Sequence, residues 1–176
     1  CIRQERGKQE KPLPFLFLYV MMIDKNMLIS LTEEYLKDTT YYLVDLILGN
    51  DNSIIVEIDN DEGVDIDQCV ALSRHIEAQL DRDSEDFELT VTSAGLTSPF
   101  KTIRQYRKYE GKEVEVLTRT GVKHNGILRS SDNEGFILTI TRKVKPEGAK
   151  RKQEVDEDIR FKYDDVKYTK YLIRFK

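Results

Sequence analysis

Two cysteines, two histidines and four prolines are all that this chain of 176 residues holds of those types. With so few sulfur and imidazole ligands and no Cys-x-x-Cys pair, the sequence offers too few ligands to point to a zinc site. Cys69 falls on an apolar stripe, which suits a buried reduced thiol better than a disulfide with Cys1. Membrane-length apolar runs are also missing. The apolar stretch Lys11-Pro-Leu-Pro-Phe-Leu-Phe-Leu-Tyr-Val-Met-Met22 is far shorter than the roughly 18–20 residues of a span, and it lacks a small-residue cleavage site. Native translation is expected to start at Met21, Met22 or Met27, leaving residues 1–21 as a non-native or disordered lead on a cytoplasmic protein with no membrane contact. There is no Walker loop, dinucleotide fingerprint, His-Glu-x-x-His or Gly-x-Ser-x-Gly. Ser73 and His75 sit two apart on a helix, where their side chains diverge. No two glycines are three apart, which removes the backbone clamp of a KH-type RNA binder.

What is present is charge, unevenly placed. Residues 22–100 carry four Lys/Arg against eighteen Asp/Glu, and residues 101–176 carry twenty against twelve. Such a split points to two domains with different electrostatic partners, a basic half able to meet nucleic acid and an acidic half that repels it.

The hydrophobic pattern divides at the same place. Residues 23–37 have helical spacing. Two β-rich runs, 41–48 and 53–58, flank Gly49-Asn-Asp-Asn52 as a hairpin. Asp65 and Gln68 form a capping-box pattern before an amphipathic helix whose stripe reads Ile66, Cys69, Val70, Ser73, Ile76 and Leu80. Residues 87–92 alternate as a third strand with Phe87, Leu89 and Val91 on one face. The first half is thus an αββαβ unit of α+β class. After the break at 93–99 come a short basic helix (100–109) and five strands in about 60–70 residues, few enough to predict a small closed barrel.

Val56–Asp67 packs six carboxylates around Gly63. An EF-hand loop begun at Asp59 would place Gly63, Val64 and Val70 where it needs a ligand, a glycine and a glutamate, so it fails three times. The structural reading is favoured over magnesium: Glu57 and Asp59 end a strand, Gly63 makes the turn, and Asp65 and Asp67 suit a helix N-terminus. No cofactor is expected. The best nucleic-acid candidates are the loop cations Arg142, Lys143, Lys145, Lys150, Arg151 and Lys152, extended by Lys101, Arg104, Arg107 and Lys108 of the basic helix. The competing reading is a solubilising hairpin whose charges pair with residues 154–158. Tyr163, Tyr168 and Tyr171 either stack on bases or fill the barrel core.

Three segments together carry a resemblance: residues 58–74 followed by Leu80-Asp81, residues 89–100 (Leu-Thr-Val-Thr-Ser-Ala-Gly-Leu-Thr-Ser-Pro-Phe), and Gly111–Val116 with Tyr163–Tyr168. Over roughly 22–176 the chain resembles the bacterial ribosome maturation factor RimP family. The resemblance implies an α+β N-terminal domain (22–97), a C-terminal Sm-like (SH3-type) barrel (98–176) and non-catalytic assistance to small-subunit assembly. Its implied partners are the small ribosomal subunit precursor, a small-subunit ribosomal protein and rRNA. Ser93, Gly95 and Pro99 carry over as the linker motif that fixes the angle between domains. The family's first linker proline and its arginine are here Ala94 and Ser98, so no arginine role is carried over. Two rivals remain: a free-standing Sm-like RNA chaperone, and a metal-dependent phosphoesterase using Asp59, Asp61, Asp65 and Asp67.

Overall fold

The computed structural model describes residues 23–80, 86–144 and 153–173. Asp24 caps the first helix, α1 (Lys25–Leu36), by accepting the Met27 N–H at 2.9 Å. Leu28, Thr32 and Leu36, four apart, form its buried line. The antiparallel hairpin β1 (Tyr42–Leu48) and β2 (Ser53–Asp59) follows. Its turn closes with Asn52 at φ 59°, a left-handed conformation that asparagine tolerates.

After Gly63, whose φ of 112° no side-chain-bearing residue adopts easily, comes α2 (Ile66–Glu77). It crosses over so that β3 (Glu88–Ser93) lies parallel to β2, completing a three-stranded sheet of order β1-β2-β3. One core joins Leu28, Leu36, Leu46, Ile54, Val56, Ile58, Leu72, Ile76 and Phe87, with Leu89 and Val91 packed against it as their alternation predicts.

Two details of α2 correct the sequence reading. The capping box does not form, since Asp65 stands at the N-cap without a side-chain bond. The buried arc also lies nearer Leu72: Ile66 is 81% exposed and Val70 42%, while Cys69, Leu80 and the fully buried Leu72 and Ile76 hold the inner face. Burial of the Cys69 thiol raises its pKa.

The second half begins with α3 (Ile103–Lys108), shorter than the predicted 100–109. Strands β4 (Glu113–Thr118), β5 (Lys123–Ser131), β6 (Gly135–Val144), β7 (Gln153–Lys162) and β8 (Val166–Tyr171) build a five-stranded antiparallel sheet of order β7-β6-β5-β4-β8, with a 3₁₀ turn at Tyr163–Asp165. All five predicted strands form. The predicted hydrogen-bonded closure is not found: among the described residues β7 and β8 pair with one neighbour each and remain edges. A second core gathers Tyr106, Val114, Val116, Leu128, Phe136, Leu138, Ile140, Phe161 and Val166. Strands approach closely at Gly135, where a Cβ would collide with the Phe161 carbonyl oxygen. No helix among the described residues is long and apolar enough to cross a membrane.

Candidate functional site

The two sheets meet through the linker, which is fastened at both ends. The Ala94 N–H donates to Ile58 O at 2.9 Å, extending the β2–β3 ladder, and the Phe100 N–H donates to Thr169 O of β8 at 2.8 Å. Between them the Ser98 N–H closes a turn onto Gly95 O at 2.9 Å. Of the motif residues, Ser93 ends β3, Gly95 opens this turn and Pro99 leads into the Phe100 anchor; all three are exposed. At the head of α3, Thr102 and Gln105 form a full capping box, and Gln105 Oε1 also accepts the Lys101 N–H at 2.7 Å.

α3 presents one face to each sheet. Tyr106 and Gln105 are buried, with the Tyr106 ring among Phe100, Phe136 and Tyr163; burial pushes its hydroxyl up to about 12. The spacing of Lys101, Arg104 and Lys108 points them the other way, onto the acidic ends of β1 and β2. Lys101 Nζ lies 2.8 Å from both Asp45 and Glu57, which are directly opposed across the strands. The cation thereby relieves a like-charge pair. Burial alone would lower the Lys101 pKa, but the hydrogen bonds with Asp45 and Glu57 leave it raised; the same bond holds Asp45 below its ordinary value. Arg104 Nη2 reaches Asp61 at 3.1 Å and Thr40 O at 3.0 Å, with its guanidinium 4.2 Å from the Tyr42 ring centroid.

The deepest pair is Lys108–Asp59, at 2.8 Å with side chains only 13% and 7% exposed. Lys108 also donates to Asn60 O at 2.8 Å, and Asp59 accepts from the Tyr42 hydroxyl and the Asn60 N–H. Burial and the neighbouring Asp59 carboxylate both raise the Tyr42 hydroxyl pKa. The acidic stretch is thus a socket for the linker helix.

This placement gives three of the predicted phosphate contacts partners within the chain. Lys101, Arg104 and Lys108 meet carboxylates of their own chain, and the exposed Arg107 has no ion pair among the described residues. Nothing in the sequence marked the pairing except the i, i+3, i+7 spacing opposite Tyr106, and that pattern names no partner. The geometry also bears on the metal rival. Asp59 and Asp61 face Lys108 and Arg104, Asp65 and Asp67 stand at the head of α2, and among the described residues no group of three ligating side chains could hold a metal.

At the far end, β6 and β7 run beyond the rest of the sheet as a ribbon. Residues 141–144 and 153–158 are all exposed, in register Lys143↔Glu154 and Thr141↔Asp156. Arg142 pairs with Glu157 at 3.3 Å and Lys143 with Glu154 at 3.4 Å, every side chain at least half exposed. Both cations thus meet the carboxylates that the solubilising reading named, in pairs open enough to exchange for other partners. Lys145, Lys150, Arg151 and Lys152 lie outside the described residues. On β4, Glu115 gathers Lys123, Lys170 and the Tyr168 hydroxyl, leaving a local excess of one positive charge. Burial raises the Glu115 pKa, and these three partners outweigh it and bring it down. Of the other tyrosines, Tyr171 stacks on Tyr109 and Tyr163 packs on Tyr106 and Phe136, so their rings serve internal contacts.

A family model described as the RimP N-terminal domain matches residues 31–97. A protein of Porphyromonas gingivalis named ribosome maturation factor RimP is 43% identical over 152 residues, spanning 86% of this chain and the whole of the relative. Proteins of the same name from Christiangramia forsetii and Flavobacterium psychrophilum are 35% and 34% identical over 139 and 134 residues, covering 90% and 86% of those relatives.

Proposed function

The chain belongs to the ribosome maturation factor RimP family, and from that membership we propose that it assists assembly of the small ribosomal subunit in the cytoplasm without itself catalysing a reaction. The observation that carries the reading is the match along the whole length of a relative so named. The structure supports a division of labour. The N-terminal unit keeps an acidic surface after its socket is filled, which suits a basic ribosomal protein. The C-terminal unit contacts rRNA through Arg142, Lys143, Lys145, Lys150, Arg151 and Lys152 at the ribbon end, together with Arg107. Lys101, Arg104 and Lys108, with Ser93, Gly95 and Pro99, hold the two faces at a fixed angle instead of touching RNA.

The C-terminal unit is read as Sm-like. Its strands, counted from β4, lie in the order fourth, third, second, first, fifth, with a helix ahead of the first, which supports that reading without requiring hydrogen-bonded closure. Binding would favour one arrangement of a protein–rRNA region by preferring it over competing states.

The test is sedimentation of the tagged chain through a gradient of lysate at two salt concentrations. Enrichment with immature small subunits, weakened at the higher salt, is expected. Residence in the free pool at both salts would remove the reading, and affinity for naked single-stranded RNA alone would favour a free-standing chaperone.

A further inference from the structure

Four strands end the two sheets, and three of them carry devices that block further pairing. β1 is interrupted by a bulge between Leu43 and Asp45. β7 bears Glu154, Asp156, Glu157, Asp158, Arg160 and Lys162. β8 carries Lys167 and Lys170 and shifts register against β4. Bulges and charges of this kind keep edges from recruiting strands. β3 has no bulge and a single charge at its first residue: Glu88-Leu-Thr-Val-Thr-Ser93 runs in unbroken register, with no lysine and no proline.

The outward backbone of β3 can be assigned. The Glu88 N–H donates to Asn52 O and the Ala94 N–H to Ile58 O, so even-numbered residues address β2. Leu89 and Val91 therefore turn their N–H and C=O groups away from β2, and β3 has no second strand partner among the described residues. Above this edge hangs an apolar shelf. α2 packs over β3, and His75 marks its flank toward α1 by contacting Tyr35 at 4.7 Å. Ile66 and Val70, one turn apart, lie on the opposite flank at 81% and 42% exposure. The surroundings are acidic: Asp65, Asp67, Glu77, Asp86 and Glu88 against Arg74.

We infer that β3 accepts an extended protein segment as a fourth strand, its alternate apolar side chains resting on Ile66 and Val70 and its lysine or arginine flanks facing the acidic rim. Main-chain bonds supply the attachment, and the shelf and rim supply the choice of sequence. RNA lacks the alternating backbone donors and acceptors and is repelled by the rim. A second copy of this chain would bring two rims of the same negative sign together. The inference rests on the assembly reading only for the identity of the protein that owns the segment.

The test uses the full chain labelled with ¹⁵N and a synthetic peptide, Lys-Arg-Val-Thr-Val-Thr-Val-Lys-Arg, with a counterpart carrying glutamate for each lysine and arginine. The basic peptide is expected to slow amide exchange at Leu89 and Val91 at least tenfold, while the acidic counterpart does not. The double variant Ile66→Lys/Val70→Lys, altered only at exposed positions, should weaken binding at least tenfold with its thermal transition unchanged. Equal binding of both peptides, or no protection along β3, overturns the inference. Protection that grows with protein concentration alone overturns it in favour of self-pairing. A chain that sediments with immature subunits yet shows an inert β3 loses this inference and keeps the assembly reading; the reverse result separates them the other way.

Discussion

Replacing Lys108 with methionine removes the ammonium and keeps most of the stem, so it isolates the charge at the centre of the linker-helix contact. The 2.8 Å pair with Asp59 is the least exposed one between the two halves, at 13% and 7%. Breaking a buried pair from one side typically costs about 3–5 kcal/mol, because the remaining charge is stranded. Asp59 keeps the Tyr42 hydroxyl and the Asn60 N–H, and Asn60 O keeps the Gly63 N–H at 3.1 Å. The expected loss is therefore about 2–3 kcal/mol, nearer the cost of an unsatisfied buried group. The assay is urea unfolding of the full chain. Lys143→Met, which breaks an exposed pair 3.4 Å long, serves as the control and should cost less than about 0.5 kcal/mol. The sharper arm adds Asp59→Asn to Lys108→Met: neutralising the stranded carboxylate should restore about 1 kcal/mol, so the double variant is more stable than the single one. If Lys108→Met matched the Lys143 control, or Asp59→Asn made it worse, the socket would not exist in solution and the helix cations would return to the pool available for RNA.

Three further outcomes are expected. Lys101→Met should cost about 0.5–1 kcal/mol at neutral pH after discounting for solvent. Because the Asp45 pKa is lowered from 3.8 on folding, that contribution is present above the unfolded value and lost as pH falls through the folded one; because the Lys101 pKa is raised from 10.5, it is also present below 10.5 and lost as pH rises past the folded value. Thermal scans of both proteins should therefore differ between about pH 5 and 10 and converge near pH 2; a constant difference would contradict the pairing. Arg142→Gln/Lys143→Gln should leave urea unfolding within about 0.5 kcal/mol of the parent yet reduce the salt slope of binding to immature subunits by about 2, and an unchanged slope would take those cations off the RNA face. Ala94→Pro installs the proline of the family pattern but removes the N–H that bonds Ile58 O, so it should destabilise by about 1 kcal/mol; a stabilised variant would mean that the bond counts for less than the stiffer linker.

The elements were legible because their signals are local. Alternation at Phe87, Leu89 and Val91 marked a strand whose apolar face packs on the core, and Gly49-Asn-Asp-Asn52 marked a turn in which Asn52 takes the left-handed conformation. The α2 stripe went astray because Ile66 and Val70 satisfy helical spacing as well as Leu72 does, and periodicity does not say which neighbouring arc meets the sheet. Closure of the five strands was not legible, since counting strands cannot reveal whether the last two meet. The role of the helix cations was hidden for a related reason. A lysine's charge is a property of the residue, but whether Asp59 or a phosphate answers it depends on contacts 43 to 56 residues apart.

Those separations also set an order in time. Strands β1 and β2 are made about 50 residues before the helix that neutralises them, so at roughly 5–20 residues per second the nascent chain holds Asp45, Glu57, Asp59 and Asp61 without their cations for several seconds. During that interval the hairpin carries its own repulsion, and β3 is made before the cations arrive. Arrival of residues 101–108 then ends the repulsion and seats the helix in one event. A weakened socket would consequently show itself first at the ribosome making this protein, as nascent chains lost to proteases, before any deficit appeared in the finished molecule.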